Sequence, residues 1–273
     1  MGVTVPGLRI VKGGLAEEFS QQRRTVMRRR WFAGSVVAAV VFFGLGAFAG
    51  DRGSKGDAYP LGKCFVSGQK LGSMGEPVVL LHEGRELRFC CKGCVGMFKR
   101  DPKRYLSKLD ATVVKDQLPF YPLRKCLVSG EKLGGMGEPV NLVYKNRLIR
   151  LCCKGCVVRF KRESEKYLKV LNEAVIKAQK PLYPLTTCVV SGGKLGGMGK
   201  PVDFVHANRL YRFCCRGCIG RFTKDPARYR AKVPWKVLFC PMHPKVRTVQ
   251  PGKCPICSMK LVPEAGKKHK KSS

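Results

Sequence analysis

Acidic side chains and histidine are scarce in this chain: 18 Asp+Glu stand against 53 Lys+Arg, and 273 residues hold four His. No carboxylates pair at a spacing suited to general acid–base chemistry, and no Ser/His/Asp set is present. A G-x-x-x-x-G-K-[ST] phosphate loop is also missing. One of the four histidines lies in the tail "GKKHKKSS". Too few remain for an open catalytic metal site with imidazole ligands in every segment. The expectation is a protein that is not an enzyme; thiol oxidoreductase chemistry through CC-x-x-C runs is the one catalytic alternative. A net charge of +35 admits an anionic partner such as nucleic acid, lipid headgroups or a cell-wall polymer. Charge alone carries no information on fold.

A long apolar run occurs near the start. Arg28, Arg29 and Arg30 precede a stretch from Trp31 to Phe48 that ends in Ala47-Phe48-Ala49, a small-x-small pattern suited to signal peptidase. Uncleaved, the run is just long enough to span a bilayer, although Gly34, Gly44 and Gly46 weaken that alternative. Either way the arginines stay cytoplasmic and the rest is exported, periplasmic or membrane-anchored facing outside the cytoplasm. The leading segment is long for a signal if Met1 is the start, whereas Met27 gives an ordinary length. A buried helix of a soluble domain is the remaining reading. Export argues against genomic DNA, so nucleic acid is not an expected partner.

Beyond residue 58 the chain repeats itself. "YPLGKCFVSGQKLGSMGEPV" begins at Tyr59, "YPLRKCLVSGEKLGGMGEPV" at Tyr121 and "YPLTTCVVSGGKLGGMGKPV" at Tyr183. Each is followed by a cysteine run: "RFCCKGC", "RLCCKGC" and "RFCCRGC". The interval is 62 residues both times, from Cys64 to Cys126 to Cys188. In the first copy, "VVLLHEGRELRFC" reads as two short strands about a Glu83-Gly84 turn, with counterparts at Lys145-Asn146 and Ala207-Asn208. "VGMFKRDPKRYLSKL" reads as a helix with Asp101 as N-cap, Pro102 at the first helical position, and Phe98, Tyr105, Leu106 and Leu109 as the inward stripe. "TVVKDQLPF" and "VIKAQKPL" link the copies or extend the preceding helix.

A unit of about fifty residues buries too little apolar surface to be secure without a cross-link. The quartets Cys64, Cys90, Cys91, Cys94; Cys126, Cys152, Cys153, Cys156; and Cys188, Cys214, Cys215, Cys218 supply one. Four thiolates suit tetrahedral zinc, and soft thiolates suit Cu(I) equally. Adjacent cysteines do not both point easily at one ion, so a three-thiolate site with Cys91 as a fourth or outer ligand is an alternative. Two disulfides per unit, or redox interchange between thiol and metal forms, is another. Met74, Met136 and Met198 recur in the Gly-rich loop as auxiliary soft ligands or as packing groups. His82 and His206 match Tyr144 in the middle copy and so read as exposed strand residues rather than ligands.

The leading cysteine, the hairpin and "RFCCKGCVGMFKRDPKRYL" resemble the YHS/TRASH group of small metal-binding domains. Cys90, Cys94, Phe98, Asp101, Pro102 and Tyr105 match its pattern, as do Cys214, Cys218, Phe222, Asp225, Pro226 and Tyr229. The middle copy keeps Cys152, Cys156, Phe160 and Tyr167 but has Glu163-Ser164 in place of Asp-Pro. Cys91, Cys153 and Cys215 are additions to the group's pattern. The resemblance spans most of residues 59 to 233 and implies heavy-metal binding, sensing or trafficking.

"CPMHPKVRTVQPGKCPIC" then closes the ordered pattern. Cys240 and His243 form one knuckle, Cys254 and Cys257 a second, and prolines stiffen both. The set predicts a Cys3His zinc-ribbon-like site, with Met242 and Met259 making Cu(I) an alternative. The segment resembles the short heavy-metal-binding domain found with copper-exporting P-type ATPases and periplasmic efflux adaptors, with Ser258 where that motif has Gly.

The expected fold is therefore a tandem of small metal-stabilised α+β repeats (turn, β-hairpin, helix; treble-clef/TRASH-like) with a zinc-ribbon-like C-terminal module. The expected segments are a signal or anchor (1–49), a linker (50–58), repeats at 59–111, 121–174 and 183–233, a metal-binding module at 238–264 and a basic tail at 265–273. The expected function is binding of up to four Zn(II) or Cu(I) ions for sequestration, trafficking or resistance, with a metal efflux system as a partner and the membrane as another if the N-terminus is retained. The rival is a structural-zinc or disulfide-linked basic protein that binds an anionic partner.

Overall fold

A computed structural model describes residues 56–264. The expectations for the N-terminal apolar run and for the basic tail lie outside the described residues. Among the described residues, no helix is long and apolar enough to cross a membrane.

Each repeat opens with a turn carrying its first cysteine and continues into a five-residue antiparallel hairpin: β1 (Val78–His82) with β2 (Arg85–Phe89), β3 (Val140–Tyr144) with β4 (Arg147–Leu151), and β5 (Val202–His206) with β6 (Arg209–Phe213). The two-residue turns have positive φ throughout: Glu83-Gly84, Lys145-Asn146 and Ala207-Asn208. That geometry matches the right-handed twist of the strands. The second strand of each hairpin points its alternate side chains into the core, as Leu87 and Phe89 do in β2.

The segment expected as one helix is two. In the first repeat α1 (Lys92–Arg100) stops at Asp101, whose backbone leaves the helical region (φ −143°, ψ 72°), and α2 (Pro102–Gln117) restarts with Pro102 in its first turn. Proline disfavours a helical residue before it, and the Asp101 carboxylate accepts the Arg104 N–H at 3.1 Å to cap the new helix. The middle repeat breaks at Glu163 between α3 (Lys154–Arg162) and α4 (Ser164–Gln179), with neither proline nor a side-chain cap. The third repeat has α5 (Gly217–Lys224) and a short α6 (Pro226–Arg230). The linker sequences continue α2 and α4 and end in single 3-10 turns at Leu118–Phe120 and Lys180–Leu182. Of the anticipated stripe, Phe98 and Leu109 are buried, and Tyr105 and Leu106 pack partly buried against them.

The three repeats are fastened to one another by a recurring buried polar lattice. Arg85 Nε donates to Asn146 Oδ1 at 2.6 Å, and Asn146 Nδ2 donates to the Glu86 carbonyl at 2.7 Å. Gln117, at the end of α2, donates to the Asn146 carbonyl and accepts the Leu148 N–H. One repeat on, the same contacts join Arg147, Asn208 and Gln179: Arg147 Nε to Asn208 Oδ1 at 2.8 Å, Asn208 Nδ2 to the Leu148 carbonyl at 2.8 Å, and Gln179 to the Asn208 carbonyl at 2.9 Å. The third repeat closes back on the first. Arg209 and Arg230 both pair with Asp116, Arg88 donates to the Thr223 and Lys224 carbonyls, and the Ala207 N–H donates to Asp57.

His206 belongs to this closure. It was expected on an exposed strand face, but it is 2% exposed and its Nε2 donates to the Ala58 carbonyl at 2.9 Å. Burial holds its pKa below the usual imidazole value, so it is a neutral core side chain.

After α6 the chain forms a small three-stranded sheet, order β8-β7-β9, from β7 (Leu238–Phe239), β8 (Arg247–Thr248) and β9 (Val262–Pro263). This module seats on the first connector: the Val249 N–H donates to the Pro119 carbonyl at 3.0 Å. Trp235 lies edge-on to Phe120 and Tyr183, one aromatic from each connector region.

Candidate metal centres

Among the described residues, four groups of side chains converge closely enough to hold an ion. Three are the trios Cys64/Cys90/Cys94, Cys126/Cys152/Cys156 and Cys188/Cys214/Cys218; the fourth is Cys240/His243/Cys254/Cys257. Within each group the candidate ligand atoms lie within 4.8 Å of one another, and every trio member is buried. All fifteen cysteines are free thiols. Sulfur separations of 3.5–4.0 Å between hydrogen-bonded neighbours are far beyond an S–S bond, so the disulfide alternative is not the state described. Such separations suit sulfurs about 2.3 Å from a common centre.

Local chain geometry explains each trio. Cys64 heads a tight turn in which Gly68 N–H donates to the Cys64 carbonyl and Cys64 N–H to the Gln69 carbonyl, both at 2.8 Å. Gly68 has φ +79°, a conformation that glycine adopts without cost. Cys90 follows the last residue of β2, and Cys94 lies in the first turn of α1. Although Cys90 is not helical, its Sγ comes 3.6 Å from that of Cys94. Cys91 is the N-cap of α1, partly exposed, with its Sγ 4.0 Å from Cys90 and 3.8 Å from Cys94. It stands beside the trio rather than within it, as do Cys153 and Cys215.

The thiols within a trio differ in acidity. Burial raises the Cys64 pKa, but N–H groups of the knuckle and the Ser67 hydroxyl outweigh it and bring the pKa down to about 7. The same balance lowers Cys126 and Cys188 to about 6. Burial and then neighbouring thiols push Cys94, Cys156 and Cys218 up to about 12. Each trio thus sets an acidified thiol beside one that keeps its proton until a metal displaces it.

The five methionines considered as auxiliary ligands are exposed, from 44% at Met259 to 76% at Met198, and Met74, Met136 and Met242 fall between. Met198 lines a cavity of about 510 Å³ that opens onto Cys214, Cys215 and Cys218, with Lys194 and Arg221 also in its wall.

In the C-terminal group, Cys240 Sγ is 3.5 Å from Cys257 Sγ and 3.7 Å from His243 Nδ1, and Cys254 Sγ is 3.8 Å from the same nitrogen. The Cys254 thiol is lowered to about 6: burial raises it, and the N–H groups of Cys257 and Ile256 outweigh that burial. Residues 239–264 match the family model for a heavy metal binding domain. No curated protein and no solved structure compared with the chain matches it. The matched segment contains all four converging side chains, and Leu261 packs in the buried cluster with Cys240 and Cys254. Ser258 adopts φ +59° just after the last ligand, where the knuckles of the repeats have glycine.

One element of these sites escaped the sequence analysis. Ser67, Ser129 and Ser191 each place Oγ 3.3 Å from a cluster sulfur, that of Cys90, Cys152 or Cys214. The signal was present in the alignment of "CFVSGQKL", "CLVSGEKL" and "CVVSGGKL" with "CPICSMKL", which sets each serine against Cys257.

Proposed function

We propose that this chain is an exported, non-enzymatic protein that binds soft metal ions, up to four Zn(II) or Cu(I), for sequestration or for delivery to an efflux system. The observation that carries the reading is the convergence of three buried Cys trios and one partly buried Cys/His group among the described residues. We read each repeat as a treble-clef or TRASH-like unit, with one ligand from the knuckle and two from the strand-to-helix junction. The C-terminal module is read as zinc-ribbon-like. Trios closed on one side by a hairpin and on the other by helix suit ion holding better than turnover.

The residues assigned to the metals are the three trios and Cys240, His243, Cys254 and Cys257, with Cys91, Cys153 and Cys215 as outer thiols. The test is metal content and free-thiol count on natively exported protein purified without chelator. About four equivalents of copper or zinc, with thiols recovered once the metal is stripped, is the expected result. Little metal and few free thiols would sink the reading.

A further inference from the structure

The knuckles at Cys64, Cys126, Cys188 and Cys254 share one backbone. Cys64 N–H donates to the Gln69 carbonyl, Gly68 N–H to the Cys64 carbonyl and Leu71 N–H to the Gly62 carbonyl. In the heavy metal binding domain, the corresponding bonds run from Cys254 to Met259, Ser258 to Cys254 and Leu261 to Gly252, each within 0.1 Å of its counterpart. The bridge Lys63↔Lys70 is matched by Lys253↔Lys260, and Lys125↔Lys132 and Thr187↔Lys194 complete the set. Superposing these patterns puts Ser67, Ser129 and Ser191 at the place of Cys257.

The side-chain contacts agree. Cys257 Sγ lies 3.5 Å from Cys240 Sγ, and the three serine oxygens lie 3.3 Å from Cys90, Cys152 and Cys214. Three sites of four therefore carry a hydroxyl where the fourth carries its last thiol.

We propose that this serine sets metal preference: the repeats are three-thiolate sites for Cu(I), and the C-terminal Cys3His group is the one zinc site. The inference rests on the soft-metal reading above and specifies which ion goes where. Structural zinc almost always takes four N or S ligands in a tetrahedron. Soft thiolates suit Cu(I), which is satisfied by three of them. A neutral serine hydroxyl 3.3 Å from the Cys90 sulfur leaves the fourth corner without a sulfur. Cys91 is the rival for that corner. It is partly exposed and stands outside the buried trio, on the strand-to-helix side rather than the knuckle.

The full chain decides between them when titrated anaerobically with Zn(II) alone and with Cu(I) alone, each in competition with a chromophoric chelator. The expected result is one tight zinc and at least three Cu(I). The triple variant S67C/S129C/S191C should hold four zinc ions, with zinc affinity in the repeats raised by roughly ten- to a hundredfold, the range seen for substitutions around metal ligands. C91S/C153S/C215S should keep the wild-type pattern. C257S should lose the one tight zinc and keep the three Cu(I). Four tight zinc ions in the wild type, falling to one in C91S/C153S/C215S, would overturn the proposal and assign the fourth corner to Cys91. Repeats that hold neither metal would overturn the metal-binding reading itself, and this inference with it.

Discussion

Ser258 and Gly68 occupy the same knuckle position with different residues. Both have left-handed φ, +59° and +79°, a region that penalises any side chain with a Cβ. A Cβ added at Gly68 would meet nothing within 4 Å, so its cost is conformational rather than steric. We therefore expect Ser258→Gly to stabilise the heavy metal binding domain by about 1 kcal/mol and Gly68→Ala to destabilise the first repeat by about as much. Metal retention under urea, Zn(II) for the C-terminal module and Cu(I) for the first repeat, is the measurement. Thiol acidity gives a second expectation. Because the Cys94 pKa is raised to about 12, metal displaces its proton across the neutral range, and apparent affinity should fall at least about tenfold per pH unit as pH drops. Below about 7 Cys64 also takes up a proton, so the slope should steepen there. Competition titrations between pH 6 and 9 read this directly, and a flat profile would contradict it.

The helix pairs show how an element can survive the loss of its sequence signal. In repeats one and three the break is capped by Asp101 and Asp225, each accepting an N–H from three residues on. Glu163 occupies the same break without capping it, and Tyr144 hydroxyl instead hydrogen-bonds Ser164 at 3.0 Å. Packing of Phe160 against Tyr144 and Tyr167 holds the bend in the middle repeat. Asp101→Ala should accordingly cost about 1 kcal/mol, seen as faster amide exchange at the start of α2. Glu163→Ala should leave the start of α4 nearly unchanged. Equal effects at the two positions would show that the cap at Asp101 carries no special weight.

For the whole molecule, the two kinds of module are held together differently. The repeats share a continuous lattice in which Asn146, Asn208, Gln117 and Gln179 are fully buried and hydrogen-bonded. The heavy metal binding domain buries four apolar or sulfur side chains, Cys240, Val249, Cys254 and Leu261, two of them in its converging Cys/His group. Chelation should unfold that module first and leave the ring of repeats folded, as segment-resolved hydrogen exchange would record. Simultaneous loss of both would mean that metal also holds the ring. Asn208→Ala removes an acceptor from Arg147 and donors to Leu148 and Gln117. Leaving those buried groups unpaired should cost about 3 kcal/mol and separate the unfolding of the third repeat from that of the second. A single unchanged transition in denaturant would argue that the lattice does not couple them.

What the sequence determined by itself was everything local. The 62-residue period, the hairpin turns, the two-knuckle cluster at residues 240–257 and most of the converging cysteines follow from short-range spacing and turn chemistry. Hydrogen bonds across one knuckle, or a hairpin closed at Lys145-Asn146, involve residues a few positions apart. Tertiary structure alone decided that the repeats form a closed ring, because its contacts join residues such as Arg85 and Asn146, 61 positions apart, and Asp57 and Ala207, 150 apart. An asparagine in a tight turn carries no mark of the neighbour that will bury it. For the same reason His206 read as exposed until Ala58 and the first repeat were seen to cover it. The separation of each CC-x-x-C run into two inward thiols and one outward thiol was also a tertiary matter. It depends on where β2 ends and α1 begins relative to a knuckle more than twenty residues earlier.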